Sequence, residues 1–158
     1  MKLQQEALQT IAATRKFFAR TTACLAEGDS TFRATPETMT VAQQVAHAAQ
    51  VIDWFREGGF ENRWDLDFEK SYKETNAITS LTTSRRWLED AWQRLEERVR
   101  RSSEAELAAD LPDNPILTGR VRSHTIDAIV DHCGHHRGAL AVYARLLGKT
   151  PAMPYGDD

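Results

Sequence analysis

The chain has 158 residues, of which 41% are hydrophobic and 27% are charged, a composition typical of a single globular domain spanning residues 1–158. The formal net charge of −3 disfavours a nucleic-acid-binding protein, because neutralising phosphates requires a basic surface. No apolar run approaches the roughly 18 residues that cross a bilayer, so no membrane partner is expected. The two cysteines lack metal-binding or redox spacing, and the first ten residues lack the apolar segment of a signal peptide, which together favour a cytoplasmic protein.

Apolar residues recur at helical spacing in four long segments. The first helix is predicted over about residues 3–26, with Gly28 as its C-terminal cap. The second begins after Thr40, which can form a capping box with Gln43, and ends near Gly58. The third begins near Ser80 and is followed by a short turn over residues 103–107. The fourth runs over about residues 123–147.

These helices indicate an all-α fold, a four-helix bundle. The connection over residues 58–79 is long enough to pass along a helix of roughly 30 Å, so the second and third helices could run parallel. Its aromatic residues are predicted to cover one face of the bundle rather than to form a moving lid. They are Phe60, Trp64, Phe68 and Tyr72.

The segment DHCGHHRGAL of the predicted fourth helix carries His132, His135 and His136. Two histidines four residues apart lie one helical turn apart on nearly the same face, which is the spacing at which two imidazoles bind one metal ion. His135 points to the side and is predicted to be a surface or interface residue. A zinc protease would need glutamate directly after His132, and Cys133, which is predicted to pack, occupies that position.

A third ligand must come from another helix, and His47 on the predicted second helix is the candidate. Its neighbours on that helix face are Gln43, Gln44, Val51 and Trp54. A single histidine on such a face is more often an ordinary half-buried residue. Because a pair of histidines at metal-binding spacing is available on the fourth helix, the interpretation of His47 as the third ligand is favoured over that of an ordinary half-buried residue.

Three segments together resemble the DinB-like (damage-inducible) metalloproteins. The motif of that family's last helix is similar to DHCGHHRGAL. The helix that supplies the family's single histidine is similar to VAHAAQVIDWF, and the family's C-terminus is similar to LLGKTPAMPYG. The resemblance covers essentially the whole chain, and the layout of three histidines is its specific part. Ala139 stands where the motif usually has glutamine, so polar support from that side chain is missing.

The resemblance implies a four-helix bundle with up-down-down-up topology and one divalent metal ion, nickel, zinc or iron, held by His47, His132 and His136. It also implies a homodimer and an activity such as transfer of a low-molecular-weight thiol, thiol-dependent isomerisation or hydrolysis. The expected function is that of an enzyme whose metal activates a thiol or water. Trp54 and Tyr143 are candidates for the substrate pocket, and catalytic side chains remain unassigned. The alternatives are a non-catalytic metal-binding stress-response protein and a helical interaction module.

Overall fold

The computed structural model describes residues 2–156 and contains six α-helices in that range. They are α1 (Lys2–Thr22), α2 (Val41–Glu61), α3 (Phe68–Asn76), α4 (Leu81–Arg100), α5 (Glu104–Ala108) and α6 (His124–Leu146). Over the same residues, β pairing is limited to an isolated bridge between Asp110 and Val121. The prediction of an all-α fold is therefore confirmed. None of the helices in this range combines the length and the hydropathy needed to cross a bilayer.

The four long helices pack as a bundle around a common hydrophobic core. α2 contacts both α4 and α6, and α1 contacts the same two helices from the other side. Each long helix contributes side chains that are almost completely buried, among them Ile11, Ile52, Trp92 and Leu140. Because removing apolar surface from water is the main favourable contribution to folding, this core fixes the positions of α2 and α6.

The end of α1 differs from the prediction. The helix ends at Thr22 rather than near residue 26, and Gly28 lies in a short 3₁₀ turn instead of capping the helix. Arg85 of α4 donates hydrogen bonds to the carbonyl oxygens of Thr22 at 2.9 Å and Leu25 at 3.0 Å. Since α4 satisfies these carbonyls, the chain can leave the helix early without stranding them.

The start of α2 is as predicted, and its end lies farther along the chain. Thr40 caps the start through the predicted capping box. The helix continues past Gly58 to Glu61, and Asn62 then ends it in the left-handed region at φ 54°. Gly58 lies inside the helix, where the ring of Trp64 packs directly against it in the space that a Cβ atom would occupy, so the glycine serves this contact rather than ending the helix.

The connection between α2 and α4 contains a helix that was not predicted. α3 begins after Asp67, whose carboxylate accepts a hydrogen bond from a backbone amide in the first turn. The prediction that four aromatic residues cover the bundle holds for two of them. Phe60 is buried and Trp64 packs against the core, whereas Phe68 and Tyr72 are 59% and 56% exposed.

The remaining helices begin where the sequence places them. Ser80 caps α4 and Ser103 caps α5, in each case by accepting a hydrogen bond from a backbone amide three residues later. The bounds of α6, His124–Leu146, lie within one residue of the predicted range at each end. The helix that carries the paired histidines is therefore the one predicted.

Candidate metal site

Three histidines from α2 and α6 come together on one side of the bundle. One ring nitrogen from each of His47, His132 and His136 lies within 4.8 Å of the others, so these side chains could hold a metal ion. Their ring centroids are 4.5–5.1 Å apart. Nitrogen ligands of one tetrahedral ion lie about 3.4 Å apart, so binding requires the nitrogens to approach by at most about 1.5 Å.

The way α2 and α6 pass each other explains this convergence. Gln44, near the start of α2, contacts His136, whereas Gly59, near its end, packs against Thr125 at the start of α6. The two helices are therefore antiparallel, so each turn toward the end of α2 faces the preceding turn of α6. His47, one turn after Gln44, consequently faces the turn between His136 and His132.

Two glutamines fix the ring nitrogens that face the cluster. His136 donates from Nδ1 to the side-chain oxygen of Gln44, and His47 donates from Nδ1 to that of Gln50 at 3.1 Å. A neutral imidazole protonated at Nδ1 carries its lone pair on Nε2, which is a metal-ligating atom. The Nε2 atom of His132 is itself buried and has no hydrogen-bond partner. A buried polar atom without a partner is costly, and a bound ion would satisfy it.

Sequence reasoning did not assign a role to these glutamines. The sequence places Gln44 on the helix face of His47 but gives no role to either Gln44 or Gln50. The signal is nevertheless local, because the two residues lie three positions before and three positions after His47, each within one helical turn of it. Gln44 gives His136 a polar contact that Ala139 cannot give.

Burial keeps the histidines neutral. Burial and, to a smaller extent, repulsion by the neighbouring imidazoles lower the pKa of His136 to about 3 and that of His132 to about 4. The pKa of His47 is also lowered, mainly by burial. Because a protonated imidazole cannot bind a metal, this environment prepares the cluster for an ion at neutral pH.

The neighbours of the paired histidines take the places expected of them. Cys133 is 1% exposed, and burial raises the pKa of its thiol to about 12, so it packs as a neutral apolar residue. Asp131 and His135 are exposed. The ring of His135 lies 4.9 Å from that of His136, at the rim of the cluster.

The two candidates for the substrate pocket flank the cluster from opposite sides. Trp54 lies two turns after His47 toward the end of α2. Tyr143 lies two turns after His136 on α6, and its hydroxyl donates to the carbonyl oxygen of Met39, just before α2 begins. Each is therefore about 10 Å from its histidine along the helix axis, in opposite directions. Contact of either residue with a substrate stays a prediction.

A separate cleft of about 430 Å³ lies between α1 and α4. Phe18, Val45 and Trp92 are among its lining residues. Val45 precedes His47 by two positions and so projects from nearly the opposite side of α2. This cleft is therefore distinct from the histidine cluster.

Replacing Gln44 with leucine is expected to weaken metal binding by about 10- to 100-fold, because His136 would lose the hydrogen bond that orients it. Isothermal titration of the metal-free protein with Zn²⁺ measures this change. Gln93→Leu, on the exposed surface of α4, is the control and should bind as the native chain does. Equal affinities of the two variants would show that Gln44 has no such role.

The chain was compared with curated protein sequences and with models of protein families. No curated protein sequence matches the chain significantly. A model of the DinB family matches residues 1–158, the whole chain. Because this match includes both helices that build the histidine cluster, as well as the rest of the bundle, the chain belongs to the DinB family.

Proposed function

We propose that the chain is a metal-dependent enzyme that binds one divalent ion through His47, His132 and His136 and activates a thiol or a water molecule. The proposal is carried by the convergence of three neutral imidazoles whose nitrogens lie within 4.8 Å of one another. Nickel, zinc and iron are the ions we consider, since imidazole is a suitable ligand for each.

The residues present fit such an ion. A divalent ion held by the three histidines would act as a Lewis acid and lower the pKa of a thiol or water bound beside it. Neutral imidazoles leave the charge of the ion uncompensated, and three protein ligands leave room for a substrate atom. Gln44 and Gln50 hold two of the rings in the required tautomer.

We favour a low-molecular-weight thiol as one substrate. A thiol that coordinates a divalent ion loses its proton directly, so thiol transfer needs no separate general base. The buried thiol of Cys133 does not compete for this role, because its raised pKa keeps it protonated. Hydrolysis by an activated water is the second reaction that the same histidines would support.

Metal content and thiol binding test this function. Protein purified without a histidine tag should contain or take up one divalent ion per chain, and chelation should lower its Tm. After loading with Co²⁺, it should bind 2-mercaptoethanol and develop a thiolate-to-cobalt absorption band. Metal binding without thiol binding or turnover would favour the non-catalytic alternative. A chain that takes up no divalent ion and keeps its Tm in chelator would overturn the proposal.

We also propose the up-down-down-up order for α1, α2, α4 and α6. Three hydrogen bonds support it by joining helix ends: Ser84 to Ala42, Gln4 to Arg100, and Tyr143 to Met39. The first joins the starts of α4 and α2. The second joins the start of α1 to the end of α4, and the third joins the later part of α6 to the start of α2.

We further propose that residues 1–158 form a single cytoplasmic domain that assembles as a homodimer. One continuous core cluster through the four long helices supports the single domain. Val142 and Leu146, 54% and 59% exposed, lie one turn apart on the outer face of α6. A Cβ atom on Gly138 would meet nothing within 4 Å, so a helix of a second copy could approach this face closely.

A further inference from the structure

We infer that α3 forms the outer wall of the histidine site and that Tyr72 contacts the apolar part of the molecule bound there. The inference rests on the proposed metal site and specifies the class of its substrate. That class is a small molecule in which a metal-binding group, such as a thiol, is joined to a flat apolar body.

α3 lies alongside the part of α2 that carries His47. At one end of α3, the side-chain amide of Gln43 donates to the carbonyl oxygen of Asn76 at 3.0 Å. At the other end, the ring centroid of Phe68 lies 6.0 Å from that of Trp54. α3 therefore passes antiparallel along roughly 16 Å of α2, and His47 lies within that stretch.

His47 projects into the groove between α3 and α6. Successive residues of α2 are rotated by about 100° around the helix axis. Relative to His47, Gln43 is rotated by about 40° and Trp54 by about 20° in one direction. Gln44 is rotated by about 60° in the other direction. The first two contact α3, and Gln44 contacts α6. The His47 ring thus lies under neither helix, in agreement with its intermediate burial.

The face of α3 that points toward α2 determines the direction of Tyr72. Thr75 is 0% exposed and marks that face. Tyr72, three residues earlier, is rotated about 60° from Thr75. Because α3 runs antiparallel to α2, this rotation turns the ring toward α6, across the groove that holds His47. At 56% exposure the ring is accessible to a bound molecule.

The groove becomes apolar on the side of His47 that leads to the end of α2. The helix face of α2 that carries His47 continues toward the end of the helix with Val51, Trp54 and Gly58. Val51 is only 8% exposed and the ring of Trp64 covers Gly58, so half-buried Trp54 is the member of this face that a bound molecule can reach. A ligand held by the histidines would therefore place an apolar body against Trp54 and Tyr72.

Two thiols of different shape test the inference in Co²⁺-loaded protein, with binding followed by the thiolate-to-cobalt absorption band. The native chain should bind benzyl mercaptan about tenfold more tightly than 2-mercaptoethanol. Tyr72→Ser should weaken binding of benzyl mercaptan about fivefold and leave binding of 2-mercaptoethanol unchanged, whereas Tyr72→Phe should bind both as the native chain does. Tyr155→Ser is the matched control, because Tyr155 is 67% exposed but packs on Phe17 of α1.

Cobalt affinity, measured first on every variant, separates this inference from the proposed function. A native chain that binds no cobalt would overturn both. If all variants bind cobalt equally and Tyr72→Ser binds benzyl mercaptan as the native chain does, α3 does not form the wall and the metal site stands. Equal weakening of both thiols would overturn the apolar class of substrate.

Discussion

Replacing His132 with alanine is expected to abolish metal binding and any turnover that depends on it. The variant keeps two of the three imidazoles, and two ligands rarely retain an ion. The loss should therefore exceed the roughly 100-fold caused by removing a supporting hydrogen bond. The fold should survive, because alanine is the best helix former and His132 is only half-buried.

The matched control for this variant is His135→Ala, on the same turn of α6. His135 is exposed, and its ring lies 6.5 Å from that of His132. After equilibrium dialysis against Zn²⁺, elemental analysis should find one ion per chain in the native protein and in His135→Ala, and less than about a tenth of an ion in His132→Ala. Circular dichroism checks the fold of each. Full metal occupancy in His132→Ala would exclude it as a ligand.

The metal-free protein is expected to lose stability as the pH falls from 7.5 to 5. In the unfolded chain imidazole titrates near 6.5, whereas the folded pKa values of His132 and His136 are about 4 and about 3. Below 6.5 the unfolded state therefore binds more protons, and the free energy of unfolding falls until the folded pKa values are reached. At pH 5 the titration of His136 should lower the free energy of unfolding by about 2 kcal/mol. The titration of His132 should lower it by less, because water partly screens this half-buried ring.

Urea unfolding at the two pH values, with chelator present, measures this loss. The double variant His132→Gln/His136→Gln removes both titrations and retains the other histidines, so its stability should change less between pH 7.5 and pH 5 than that of the native chain. The same pH dependence in both proteins would mean that these imidazoles are not held neutral by the fold.

Local spacing was sufficient to predict the part of the site that lies on one helix. His132 and His136 are four residues apart, and any α-helix over this segment places them together. His47 was only a candidate, because its distance from the other two depends on the packing of α2 against α6. That packing is set by contacts such as the one between Gly59 and Thr125, which are distant in sequence.

The errors in the predicted helices also arise from long-range contacts or from weak local signals. The early end of α1 depends on Arg85, which reaches the carbonyl oxygens of Thr22 and Leu25 from α4. α3 has only nine residues, most of them polar, and the hydrophobic pattern that identifies longer helices is faint in so short a segment. Its start is marked locally by the cap, Asp67, and by acidic Glu69 in the first turn.

X-ray absorption spectroscopy of the zinc-loaded protein tests most directly whether three histidines from two helices hold one ion. We expect three imidazole nitrogens at about 2.0–2.1 Å in the native chain and two in His47→Ala at saturating zinc. A native spectrum with fewer than three imidazoles, or the same imidazole count in both proteins, would contradict the proposed site.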